Sequence, residues 1–284
     1  MMFIDGPILD GKDAVKYIYE KYTTFFVFFA SIILSSCSSG DDGGISVVSN
    51  TNFEAVESFN FVVPVVNHTL FTLIGVNGEI NINGNAGTNS ATITGIKRVL
   101  SESVADAQAH LQDLNVNVQD LLNEIRVETI QPANTGGRSY IVNYTVTLPK
   151  FLKNNVNNLN GIVMLDSIDN DVTVLNMNGT ATLTNITGSA SANILNGQIQ
   201  GTVTLPLNGV IDMTTLNGDI DLEIPVNTSA ILSASVTVGT ITAQNLVLQN
   251  VVSTPTFLSG TLGNGQGTIE LEAKQIGHIT VTGI

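Results

Sequence analysis

A glycine followed by alternating polar and apolar residues recurs ten times along this chain, and that recurrence limits what the chain can fold into. The sequence aligns on Gly78, Gly161, Gly179, Gly188, Gly197, Gly209, Gly218, Gly239, Gly267 and Gly277. Two positions on stand Ile80, Val163, Ala181, Ala190, Ile199, Ile211, Ile220, Ile241, Ile269 and Ile279, apolar in all ten. Four positions on stand Ile82, Leu165, Leu183, Ala192, Gly201, Met213, Leu222, Ala243, Leu271 and Val281, with Gly201 the single exception. The residue between them is polar in nine of the ten, Met164 being the departure. A period of two over this length marks strands with one face buried and one wet.

Six of the ten glycines follow Asn, the pair favoured where the backbone must turn to positive φ. From Gly179 to Gly218 the spacings are 9, 9, 12 and 9 residues, so two strands with their turns take roughly 18 to 21 residues. That matches one coil of a parallel β-solenoid, in which each coil buries its aliphatic residues on the next. Asn-Gly is also a strong hairpin signal, so an antiparallel β meander or sandwich is the alternative. Regular spacing and small outward Thr, Asn and Ser residues favour the solenoid.

Ser101 to Leu114 breaks the pattern. Ser103 with Asp106 three residues on resembles a capping box, and Val104, Ala107, Leu111 and Leu114 keep helical spacing. Two longer strands follow, Glu124 to Ile130 and Ser139 to Leu148, joined through PANTGGR. The expectation is one short helix and a hairpin laid against the early coils, covering an exposed edge.

Composition narrows the function classes. Charged residues make up only 12% of the 284, and the formal net charge is -14. Nucleic acid is not an expected partner, because phosphate contacts need clustered Lys and Arg, and from Asn160 onward Lys274 is the sole Lys or Arg. His68, His110 and His278 lack metal-ligand spacing, and Cys37 is the one cysteine, so an intrachain disulfide is impossible. No cofactor is implied.

Thr23 to Ser36, TTFFVFFASIILSS, is an apolar run preceded by Lys16 and Lys21 and ending in small residues, the layout of a signal peptide. It is shorter than the roughly 20 apolar residues a spanning helix needs. Leu34, Ser35, Ser36 and Cys37 resemble the lipobox of bacterial lipoproteins. That resemblance implies a diacylglyceryl group and an acyl chain such as palmitate on Cys37. More than one chain makes anchoring stable. The acidic stretch before Lys16 departs from the pattern and fits an overlong translation start. SSGDDGG, from Ser38 to Gly44, is a flexible tether, and its Asp pair is similar to the acidic export signal of Bacteroidetes lipoproteins. The expected organisation is a signal peptide over 1–36, a lipidated tether over 37–52 and a repeat domain over 53–284, carried on the outer membrane and facing outward.

Several phrases resemble the bacterial putative adhesin family, a β-solenoid domain. They are VNGEININGNAG at Val76 to Gly87, the ADAQAHL helix followed by YIVNYTVTLP, LNGDIDLEIP at Leu216 to Pro225, and GNGQGTIELEAKQIGHITVTG at Gly263 to Gly283. The resemblance covers roughly Phe53 to Ile284 and rests on folding motifs. It implies a surface-displayed module that binds extracellular glycan or protein, and it supplies no catalytic residues. A structural envelope scaffold is the alternative.

Chemistry-bearing clusters are few. A polysaccharide hydrolase needs two carboxylates several ångströms apart, and Asp212, Asp219 and Asp221 are read as sharing the outward face of consecutive strands. As a solvated acidic face, the same three form the candidate recognition surface. A lyase needs a nearby Arg or Lys as proton acceptor, which Lys274 alone supplies poorly. Asp166, Asp169 and Asp171, in DSIDNDV, are close enough to share Ca²⁺ but lack the full ligand spacing of a calcium loop. Asp166, Ser167 and Ile168 also match a short O-glycosylation signal. GNGQG at Gly263 to Gly267 lacks the helix or Lys of a phosphate cradle. The chain is therefore expected not to be an enzyme.

Overall fold

The computed structural model describes residues 52–284, and these form a mixed, open, all-β domain with one short α-helix. The expected signal peptide, Cys37 and all but the last residue of the expected tether lie outside the described residues.

Its centre is built from three long strands, β8 (Lys153–Asp166), β9 (Val172–Thr187) and β10 (Ala190–Thr204). Each runs through a corner at its Asn-Gly pair, so its first half pairs in one ladder and its second half in another. β8 lies parallel to β9 with Gly161 opposite Gly179, and β9 lies parallel to β10 with Gly179 opposite Gly197. The next rung is split in two, with β11 (Val210–Asn217) on the first half of β10 and β12 (Ile220–Ile224) on the second, again parallel. These parallel central pairs rule out a meander of sequential hairpins throughout.

Beyond that rung the spatial order departs from the chain order. β13 (Ala230–Val238) and β14 (Ile241–Gln244) come next in sequence, yet β17 (Gly267–Ile276) and β18 (Ile279–Gly283) lie between them and β11–β12. β17 pairs in parallel with both β11 and β13, and β18 with both β12 and β14. The first ladder then ends in antiparallel strands, β16 (Phe257–Leu262) on β13 and β15 (Leu248–Thr254) on β16.

The other end shows the same device. β2 (Leu70–Ile74) and β3 (Asn77–Asn85) pair in parallel with the two halves of β8. On their far side stack β6 (Glu124–Ile130) and β7 (Ser139–Pro149), also parallel. The expected hairpin is therefore corrected. β6 and β7 occupy different ladders and pair with β2 and β3, because both alternating patterns find an aliphatic rung to cover. Antiparallel strands finish this end: β5 (Asn115–Asp120) on β6, β4 (Ser90–Ser101) on β7, and β1 (Phe53–Pro64) on β4.

The helix, α1 (Val104–His110), continues into a 3-10 turn at Leu111–Asp113. Ser103 caps it by accepting the Asp106 N–H, as the sequence pattern predicts. The second half of the capping box is absent, since the Asp106 carboxylate turns to Arg138 and Ser101 instead. Ala107, Leu111 and Leu114 are buried, while Val104 is exposed.

Inward positions of both ladders form one aliphatic core. Nine of the ten residues two places after an anchoring glycine are buried, and nine of the ten four places after. The two exceptions, Ile241 and Ala243, both lie on β14, where no further rung covers them.

Candidate binding surfaces

The most regular feature of the domain is its corner. Gly78, Gly161, Gly179, Gly197 and Gly218 stack in one column with φ between +128 and +144 degrees. The column continues through Gly277 to Gly239. A Cβ on Gly161, Gly179, Gly197 or Gly218 would sit 1.7 to 1.9 Å from the carbonyl oxygen of the glycine on the neighbouring rung. No side chain fits that gap, so glycine is demanded by close backbone approach as well as by φ.

The preceding Asn residues form a matching amide ladder. Asn160 donates to Asn77 (2.8 Å), Asn178 to Asn160 (2.8 Å), Asn196 to Asn178 (3.0 Å) and Asn217 to Asn196 (3.0 Å). At the far end Asn77 donates to the Tyr140 carbonyl. Each internal amide both donates and accepts, so the ladder directs its hydrogen bonds along the stack rather than outward. It ends where Ile276 and Val238 replace Asn ahead of the last two glycines.

The acids singled out by the sequence are dispersed. Asp212 is exposed on β11 and faces Glu270 of β17, in the first ladder. Asp221 belongs to β12 in the second ladder and accepts from Gln198 Nε2 at 2.8 Å. Asp219 lies between them at the corner and accepts the His278 N–H at 2.8 Å. The expectation that the three share one outward face is thus corrected, because the chain turns at Asn217–Gly218 and sends Asp212 and Asp221 to different ladders.

Asp166, Asp169 and Asp171 do not converge either. Asp166 accepts from Asn185 (2.9 Å) and Asn83 (3.3 Å), bridging its rung to both neighbours. Asp171 accepts the Ser189 N–H (3.1 Å) and lies 3.6 Å from the Lys153 ammonium. Asp169 is exposed. Among the described residues no group of three His, Cys, Asp or Glu is placed to hold a metal ion. Ser167 sits half-buried at φ +60 degrees in the turn before buried Ile168. In the GNGQG turn the Asn264 and Gln266 N–H groups donate to Ser229 Oγ, so they are not free to cradle an anion.

Two features carry no signature in sequence spacing. The first is a polar cluster beside α1. Arg138 binds Asp106 through two hydrogen bonds of 2.6 Å, Ser101 donates to the same carboxylate, and His110 bonds Asp113 at 2.7 Å. The Arg138 guanidinium, followed by the Ser101 hydroxyl, holds the Asp106 carboxyl well below the usual carboxylate range. The second is a shallow depression of about 430 Å³ beside His68 and Asp120, whose rim includes Val66 and Leu122, 78% and 90% exposed. His68 Nε2 meets Asp120 at 2.7 Å, and its buried Nδ1 has no partner. Elsewhere, burial pushes the Tyr144 hydroxyl up, and Thr129 bonds it at 2.6 Å. No helix among the described residues is long and apolar enough to cross a membrane.

No family model and no curated protein matches the chain. Among solved structures it is similar to a putative cell adhesion protein from Clostridium sporogenes, 12% identical, covering 81% of this chain and 100% of that one, with a TM-score of 0.44. It is also similar to a putative adhesin from Bacteroides fragilis, 9% identical over 79% of this chain and 97% of that one, TM-score 0.30. A third, a putative adhesin from Parabacteroides distasonis, is 11% identical over 80% and 97%, TM-score 0.23. None of these likenesses assigns a role to a residue.

Proposed function

We propose that this chain is an exported lipoprotein, anchored through Cys37 in the outer membrane and displayed outward, whose β-solenoid is a binding module for extracellular glycan or protein. The carrying observation is the outward row of the parallel rungs. Thr182, Gln200, Asp221 and Thr280 stand in register on adjacent rungs of the second ladder, none of them buried. Rungs lie about 4.8 Å apart, so such a row offers many weak, evenly spaced hydrogen-bonding groups on a rigid backbone. A surface of that kind suits an extended polymer better than a small molecule, which prefers an enclosed apolar pocket. The reading carries no catalytic role and no cofactor.

One observation favours a second reading, a structural envelope scaffold without a specific ligand. Outward polar groups also bond one another between rungs, as in Gln198 to Asp221 and Thr202 to Glu223. Such bonds stiffen the stack whether or not a ligand is held.

The test is a glycan and matrix-protein array, run with and without Ca²⁺ and with a variant in which Asp212, Asp219 and Asp221 are each changed to Ser. Saturable binding that the variant loses supports a recognition face at those rungs. No binding to any surface, with unchanged adhesion in a deletion strain, places the scaffold reading ahead.

A further inference from the structure

The two ends of the stack are finished differently. At the end made by β1, β4 and β5, α1 brings a covering helix whose Ala107 is buried. The outermost strand β1 is joined to β4 by ion pairs, Lys97 with Glu57 at 3.0 Å and Arg98 with Glu54 at 3.4 Å. Charge along an edge strand opposes pairing with another chain.

At the opposite end those devices are missing. Residues 224–269, which supply β13 to β16, contain no Asp, Glu, Lys, Arg or His. Among the described residues β14 pairs only with β18, and β15 only with β16, so each keeps one backbone edge open. β15 is solvated on both faces, with Val251 and Val252 more than half exposed, and nearby Val247 is 80% exposed. Ile241 and Ala243 of β14 occupy core positions of the repeat that nothing fully covers. The nearest acids, Glu270 and Glu272, lie one strand further in, opposite Ser233 and Ser235.

We propose that this uncharged end is a self-association surface, where two copies of the chain meet end to end about a two-fold axis beside the open edge of β14. Charge commits the proposal to a second copy. The chain has a net charge of -14, with acids on the outward rows of the other rungs, so copies that meet elsewhere bring like charges together. At this end identical molecules touch without that opposition, and a charged partner finds nothing to pair with. Backbone geometry gives the symmetry. An open edge strand turned about a two-fold axis pairs antiparallel with its own copy, and an isologous contact closes as a dimer. The helix-covered, charged end disfavours a head-to-tail filament.

The test uses the full-length protein in detergent, with sedimentation over a range of concentrations. A reversible dimer is expected, and Thr242→Lys with Val251→Lys should weaken it by roughly tenfold or more through like-charge repulsion, with an unchanged melting curve. Under mild oxidation Thr242→Cys should give a covalent dimer, whereas the parent and Val56→Cys, on β1, should not. Four results overturn the proposal. They are a monomer at every concentration, a Lys variant that dimerises unchanged, cross-linking through Val56→Cys alone, and a monomer whose Lys variant loses binding to an arrayed glycan.

Discussion

The backbone N–H of His278 donates to the carboxylate of Asp219 at 2.8 Å across 59 residues of chain. This bond sits where the last rung, β17–β18, is inserted between β11–β12 and β13–β14. Both of its edges are paired, so residues 267–284 fill a gap rather than cover an end. Deleting them would strip partners from four other strands and remove buried Ile269, Leu271, Ile279 and Val281. Four such side chains at roughly 1.5 to 3 kcal/mol each are comparable to a whole domain's net stability of about 5 to 15 kcal/mol. The deletion is expected to abolish cooperative unfolding, read by denaturant titration, and to expose β11 to β14 in hydrogen exchange. A truncated protein that unfolds as cooperatively as the parent would contradict the inserted order.

The glycine column makes a sharper comparison. Gly197 has φ +143 degrees, and a Cβ there would lie 1.7 Å from the Gly179 carbonyl oxygen. Gly137 also has positive φ, +84 degrees, but nothing lies within 4 Å of its Cβ position. Gly137→Ala should therefore cost about 1 to 2 kcal/mol, the backbone term alone. Gly197→Ala must also push neighbouring rungs apart and should cost more than about 4 kcal/mol, in the range that marks a specific structural failure. Equal shifts in the unfolding midpoint would show that the rungs separate easily.

How much of this is legible in the sequence follows from what a period of two encodes. It states which side chains point inward, and the structure agrees at Ile220, Ile199 and their equivalents because inward facing is a local property of each strand. It does not state which strand lies beside which. Strands β17 and β13 carry the same alternation, so nothing in either says that the later one takes the inner place. For the same reason β6 and β7 read as a hairpin when each pairs elsewhere. Asp212 and Asp221 read as one face because the corner at Gly218 is invisible to alternation, although the Asn-Gly pair that makes it is plain.

The inward and outward assignment is open to a direct test at adjacent residues. Ile220 is fully buried between the rungs of β10 and β18, whereas Asp221 points outward and accepts one hydrogen bond from Gln198. Ile220→Asp places an unpaired charge in the core and should prevent folding. Asp221→Ser loses at most one solvated hydrogen bond, about 1 kcal/mol. Soluble yield and melting temperature of the two variants report the contrast, and similar behaviour would reverse the assignment.

Cys37 carries the localisation reading and lies outside the described residues, so its test is cellular. Cys37→Ser removes the thiol that a lipobox acylates, and with it the apolar chains that hold a lipoprotein on a membrane. The expected outcome is loss of metabolic lipid label together with release or stalling of the protein. Unchanged fractionation with the outer membrane and no label on the parent would remove the lipoprotein from the proposed function.

The ion pair between Asp106 and Arg138 ties α1 to the turn that leads into β7 and should make that end of the domain acid-sensitive. Because the Asp106 carboxyl is held low in the folded state, chiefly by the Arg138 guanidinium, its contribution is full above its unfolded value of about 3.9 and falls as pH drops below that toward the lower folded value. Asp106→Asn keeps the size of the side chain and removes the charge. It should be less stable than the parent at pH 7, and the gap should close as both are taken from pH 5 to pH 2. The denaturant midpoint at each pH measures it, with hydrogen exchange in α1 as the local readout. Parallel curves for the two proteins would mean that the acid sensitivity arises elsewhere in the fold.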